Sequence, residues 1–122
     1  MDLKGVAVLL VDDDPDIREL MALMLSVCGA AVRTVASARG AVVACDEHAP
    51  DVIVSDLSMP QDDGYTLLQA IRRRPACADV PAIAVTGLAD HPDTALAAGF
   101  SDFLVKPVDH QVLCERVGRA AE

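Results

Sequence analysis

One parallel β-sheet covered on both faces by helices is the fold predicted for this 122-residue chain, and three observations predict it. Strand-length apolar runs recur along the chain, and the clearest of them lack the in–out alternation of a strand with one wet face. Each is followed by a stretch whose apolar residues repeat at three- and four-residue spacing, the period of an amphipathic helix. The joins are short, and strand–helix–strand units of this kind make parallel neighbours through right-handed crossovers. The length suits one domain with a real hydrophobic core.

The first strand is VAVLLV, Val6 to Val11. Asp14-Pro15 starts a helix, an N-cap acid followed by proline at the first helical position. Ile17, Leu20, Met21, Met24, Leu25 and Cys28 form its inner face and Gly29 ends it. AVRTV, Ala31 to Val35, is the second strand, and Ser37 caps a helix to about His48 with Ala41, Ala44 and Cys45 inward. DVIVSD, Asp51 to Asp56, is the third strand. After the SMPQDDG loop, with Asp62 and Asp63 as turn and cap residues, a helix runs from about Asp63 to Arg74 around Leu67, Leu68 and Ile71. PAIAVT, Pro81 to Thr86, precedes a short helix around Pro92 to Ala98. SDFLV, Ser101 to Val105, stops at Lys106-Pro107, and the last helix spans about Asp109 to Ala121. No linker, repeat or low-complexity segment interrupts the five units.

Tyr65, Phe100 and Phe103 are the whole aromatic set, so the core is built from Val, Leu, Ile, Ala and Met. A formal net charge of −9 argues against a nucleic-acid or anionic-membrane partner. The one basic run, Arg72-Arg73-Arg74, reads as a solvated helix end complementing the dipole. Cys28, Cys45, Cys77 and Cys114 lie far apart, with no CxxC pair and no His at ligand spacing. They read as small core or surface residues of a reducing compartment, which disfavours zinc and a disulfide framework. His48, His91 and His110 fall in loops or helix ends without a catalytic partner in sequence. The start, MDLKG, has no signal-peptide h-region and no apolar run approaches a membrane span, so a soluble, cytoplasmic chain is expected.

In open parallel sheets ligands sit beyond the carboxyl ends of the strands. What gathers there is Asp12-Asp13-Asp14, Asp56, Thr86 and Lys106. Two like charges about 4 Å apart repel by roughly 1 kcal/mol in water and roughly 4 kcal/mol at a surface dielectric of about 20. Asp14 is most simply a helix cap, Thr86 alone a strand-end hydroxyl and Lys106 alone a surface lysine. Asp12, Asp13 and Asp56 cannot all be caps if they share one sheet edge. A hard divalent cation such as Mg²⁺ offsets their repulsion, and Lys106 supplies a point charge for an incoming phosphoryl group.

The segments VLLVDDDPDIREL, DVIVSDLSMPQDDGYTLL, IAVTG and AGFSDFLVKPV occur in order and in register. With them the chain resembles the receiver domain of two-component response regulators over essentially its full length. The resemblance implies an α/β, doubly wound (βα)5 flavodoxin-like fold with a five-stranded parallel sheet in the order 2-1-3-4-5. It implies a single receiver domain over residues 1–122 with no effector domain, and a regulatory phosphoacceptor rather than an enzyme. Such a domain at most phosphorylates itself from phosphodonors and slowly dephosphorylates.

Asp56 is then the phosphoacceptor, attacking a phosphoryl group carried on a histidine. Asp13, Asp56 and the backbone carbonyl of Ser58 ligate Mg²⁺, and Asp12 assists through a metal-bound water. Lys106 and Thr86 meet phosphoryl oxygens, and Phe103 is the switch aromatic. The implied partners are a sensor histidine kinase or histidine phosphotransfer protein as donor, and an output protein of unknown identity. Neither nucleic acid nor membrane is contacted, and the domain is a monomer or weak dimer. The signal is carried by the face of the fourth helix, fifth strand and last helix.

Two departures from the family pattern stand out. Thr86 and Lys106 are closer in sequence than in many family members, so a short or displaced fourth helix is expected. Phenylalanine at 103 lacks the hydroxyl of a tyrosine, while Gly87 and Ser58 leave the acceptor accessible. A Mg²⁺-dependent phosphatase with an aspartate nucleophile is the competing reading. It wants a second acid two residues on, where this chain has Ser58. A phosphorylation-independent, degenerate receiver usually lacks the acceptor, an acid or the lysine, and all are present.

Overall fold

A computed structural model, described over residues 2–57, 63–87 and 92–122, alternates strands and helices from end to end. The strands are β1 (Ala7–Val11), β2 (Ala31–Val35), β3 (Val52–Asp56), β4 (Ala82–Thr86) and β5 (Asp102–Val105). The helices are α1 (Pro15–Val27), α2 (Ala38–Glu47), α3 (Gly64–Arg72), α4 (Pro92–Ala98) and α5 (His110–Ala120), with one 3-10 turn at Pro75–Cys77. All strands pair parallel in the order β2-β1-β3-β4-β5.

The unbroken apolar runs are explained by the two cores they feed. Val8, Leu10, Val54 and Val85 pack with Met21 and Leu25 of α1 and with Leu113 and Val117 of α5. Leu9, Val11, Ile53 and Ala84 face Ala41, Leu67, Ile71 and Ala95 on the opposite side, beneath α2, α3 and α4. Each fully buried Val, Leu or Ile contributes roughly 1.5–3 kcal/mol, so a core nearly free of aromatics is sufficient. Edge strand β2 is the wettest, with only Val32 and Val35 partly covered.

The helix starts follow the sequence reading. Asp14 Oδ1 accepts from the backbone N–H of Asp16 and Ile17, and Ser37, Asp63 and Asp109 cap α2, α3 and α5 in the same way. Gly29, at φ 103°, ends α1 in the left-handed region that glycine enters without penalty.

Three readings need correction. Leu20 was assigned to the inner face of α1 but is 54% exposed. The third helix ends at Arg72 rather than Arg74, because Arg74 precedes Pro75 and is pushed to an extended backbone (φ −87°, ψ 120°). The basic run is consequently not a simple solvated helix end. Arg72 Nη1 donates to the carbonyls of Cys77 (2.9 Å) and Val80 (2.7 Å), and Arg74 pairs with Asp46 of α2. The short fourth helix is present, at seven residues. No helix among the described residues is long and apolar enough to cross a membrane.

Candidate functional site

Strand phase decides which side chains meet at the carboxyl edge of the sheet. Val52 and Val54 feed the α1–α5 core, and Asp56 follows in the same phase at the end of β3. Val8 and Leu10 precede Asp12 in that phase, and Leu104 precedes Lys106. Ala82 and Ala84 point into the other core, where Phe103 also packs, and Thr86 continues their phase. The acids and the lysine are thereby sent to one side, the hydroxyl and the aromatic to the other.

The ammonium of Lys106 lies 3.0 Å from Asp12 Oδ2 and 3.3 Å from Asp56 Oδ2. Asp12 is 1% exposed and Asp56 6%, while Asp13 is half-buried. One carboxylate oxygen from each of Asp12, Asp13 and Asp56 lies within 4.8 Å of the others. Three hard oxygen donors at that spacing are what a small divalent cation takes up together with water. The repulsion posed by the sequence is already partly relieved within the chain, because Lys106 sits between two of the acids. Burial works against the charged ammonium, but the hydrogen bond to Asp12 and the charges of Asp12 and Asp56 outweigh it, and Lys106 is held above its usual range.

The third acid of the triplet is occupied elsewhere, since Asp14 caps α1. Its own N–H donates to Asp12 Oδ1 at 3.0 Å, aiming that carboxylate across the sheet edge. Thr86 is fully buried at the end of β4, and its carbonyl accepts from the N–H of Lys106 at 2.7 Å. Phe103 is partly buried one strand away. Ser58, the expected carbonyl ligand, lies outside the described residues, as does most of the SMPQDDG loop.

Two supporting residues escaped the sequence reading. Arg18 Nη1 donates to the Asp12 carbonyl at 2.9 Å, clamping the strand end from the first turn of α1. Its signal was there, an arginine one turn after a helix cap, but it resembles any exposed helix cation. Gly64 opens α3 so close to β3 that a Cβ would sit 2.8 Å from the Asp56 carbonyl oxygen and 2.7 Å from the Leu57 side chain.

Comparison with known proteins bears on the fold and the family. The family model for the response regulator receiver domain matches residues 8–118. An uncharacterized 14.6 kDa protein of Leptolyngbya boryana is 42% identical over 109 residues, covering 88% of this chain and 83% of its own length. The C4-dicarboxylate transport transcriptional regulatory protein DctD of Pseudomonas aeruginosa is 39% identical over 94% of this chain but only 25% of its own. Several other curated relatives, transcriptional regulators, are likewise spanned over less than half their length. Among solved structures, a putative response regulator from Chloroflexus aurantiacus superposes with TM-score 0.89 at 32% identity, covering 97% of this chain and 98% of that one. The receiver domain of the sensor histidine kinase PA1611 from Pseudomonas aeruginosa, which has a magnesium ion coordinated in its active-site cleft, gives 0.87 at 33%, covering 96% and 98%.

Proposed function

The chain belongs to the response regulator receiver domain family, and on that premise we propose that it is a phosphorylation-dependent switch with Asp56 as the acceptor. An oxygen of the Asp56 carboxylate attacks the phosphorus of a phosphohistidine on a sensor histidine kinase or histidine phosphotransfer protein. The new P–O bond replaces the P–N bond, and the imidazole leaves to take a proton from solvent. The observation that carries the reading is the Lys106 ammonium within 3.3 Å of both Asp12 and Asp56 at one sheet edge. Phosphoryl transfer asks little covalent work of a protein beyond its nucleophile and much positioning and charge neutralisation.

The three carboxylates fit Mg²⁺; Asp13 and Asp56 would hold it directly, together with the Ser58 carbonyl, and Asp12 would assist through a water. The cation would supply neutralisation of phosphoryl oxygen charge. Lys106 supplies the second positive charge and is already poised beside the acceptor. An apolar groove bounded by Ile17, Leu20, Pro107 and Val108 reaches Lys106 and Gly87 at the pocket. Its continuity with the pocket suits it to seat the histidine-bearing surface of the donor.

An acyl phosphate at Asp56 adds charge and acceptor oxygens, and only contacts that differ between the two states shift a conformational equilibrium. Thr86 moves its hydroxyl onto a phosphoryl oxygen, and Phe103, in the same sheet phase, turns into the space it leaves. The output face is that of α4, β5 and α5, where Leu96, Val105 and Val112 are 48%, 54% and 37% exposed. The test is intact mass after incubation with acetyl phosphate. One phosphoryl increment is expected in Mg²⁺ and none in EDTA. An increment of the same size in Asp56→Asn would refute the assignment.

A further inference from the structure

Cys28, His110 and Cys114 meet where the end of α1 lies against the start of α5, and each offers a sulfur or nitrogen donor within 4.8 Å of the other two. His110 Nε2 stands 3.4 Å from Cys28 Sγ and 2.8 Å from the carbonyl oxygen of Met24, and Cys114 Sγ donates to the same carbonyl at 3.6 Å. We propose that these three side chains form a site for a thiophilic divalent cation of the zinc class, bridging α1 and α5.

The donor set and its spacing support this together. A tetrahedral zinc ion, with bonds of about 2.3 Å to sulfur and about 2.0 Å to nitrogen, holds its donors roughly 3.5–3.8 Å apart. Donors already within 4.8 Å reach that spacing by small side-chain rotations. His110 and Cys114 are four residues apart, one turn on the same face of α5, which is how a helix presents two ligands to one ion. Cys28 completes the set from the C-cap of α1. His110 is exposed, Cys28 half-buried and Cys114 buried, so the site is open on one side and closed beneath. Three protein ligands leave a fourth position for water or an added anion.

The chemistry selects against the cation of the acidic pocket. Burial, with Cys28 alongside, pushes the Cys114 thiol up to about 12, so an incoming ion has to displace thiol protons. Zinc-class ions do so by forming strong bonds to thiolate, whereas Mg²⁺ prefers oxygen and keeps its water. In the bound state both sulfurs would bond as thiolates, their protons passing to solvent, and His110 would bond through Nε2 with its ring proton on Nδ1. Without the ion, His110 serves as a C-terminal cap. Met24 O is one of the last-turn carbonyls of α1, and the Cys28 N–H that would normally reach it turns to Leu25 O instead.

The experiment titrates the reduced full chain with Co²⁺, then displaces it with Zn²⁺ in the presence of a chromophoric chelator. One equivalent is expected at the thiolate-to-cobalt charge-transfer band, with a tetrahedral visible spectrum, and cobalt held by the carboxylate pocket contributes nothing to that band. Cys28→Ser and His110→Ala should each weaken binding at least tenfold, and both positions are accessible enough for the variants to fold. Asp56→Asn should leave the titration of the charge-transfer band unchanged, which separates this site from the acceptor pocket. Absence of the charge-transfer band, or wild-type affinity in His110→Ala, would overturn the proposal and leave a helix cap only.

Discussion

The two ends of α1 carry two different kinds of cluster. At its start, Asp14 caps the helix beside the acidic pocket. At its end, about 20 Å away by helix rise, Cys28 faces His110 and Cys114. The pocket is made of oxygens and carries its own counter-cation, and every member stands at or just past the end of a strand. The sulfur–nitrogen cluster forms no salt bridge among the described residues, and its members come from two helices held by packing and by side-chain bonds to the Met24 carbonyl. A sheet edge fixes positions through hydrogen-bonded register. A helix–helix contact fixes them through side-chain fit. The pocket should therefore be expensive to alter and the cluster inexpensive.

The contrast is broken or sharpened most strongly by Asp56→Asn. It should abolish phosphoryl uptake, read by intact mass, and leave the cobalt–thiolate band untouched; loss of both would mean that the two regions are one unit. Next comes Lys106→Met, which leaves buried Asp12 and Asp56 facing each other. It should cost about 3 kcal/mol in a urea unfolding midpoint, with part recovered by Mg²⁺. Cys28→Ser should stay within about 0.5 kcal/mol of the parent chain, and an equal loss would erase the distinction. Gly64→Ala forces a methyl against the Asp56 carbonyl and should cost about 1–3 kcal/mol, with slower phosphoryl uptake because the acceptor strand must shift. Asp14→Ala should cost only about 1 kcal/mol and leave uptake intact, since its carboxylate serves the helix rather than the pocket.

The smallest effect is on pH. Lys106 is held above its usual range by Asp12 and Asp56. The stability it contributes is fully present below the unfolded lysine value of about 10.4 and is lost as pH rises through the higher folded value. The stability difference between the parent chain and Lys106→Met should be flat from neutral pH to about 10 and shrink above that.

Much of this was legible in the chain because strands and caps leave local marks. The apolar runs of β1, β3 and β5 stop at Asp12, Asp56 and Lys106, which meet at the sheet edge, so these three could be picked out by position alone, and Thr86 by its place at the end of β4. Asp14-Pro15 and Ser37 announced their helices within a residue. What escaped was set by packing. Leu20 repeats with the inner face of α1, yet the neighbouring helix does not extend over it. Arg72 and Arg74 looked like a solvated run until the turn at Pro75 gave them carbonyls and Asp46 to hold. Cys28 and His110 are 82 residues apart, and nothing local says that one helix end rests on the other. The reading that no histidine stands at ligand spacing from a cysteine needs correction for His110 and Cys114, because two residues one helical turn apart are ordinary until packing brings a third donor beside them.

The bond from the Lys106 N–H to the Thr86 carbonyl bears on how any signal leaves the pocket. It is the last rung of the ladder between β4 and β5, and it mounts a hydroxyl and an ammonium on a common crossbar. Neither backbone position can slide without dragging the other. In the proposed switch, a phosphoryl group would therefore be gripped by rotating side chains on a stationary frame, and the outward signal would start as torsion in Thr86 and Phe103.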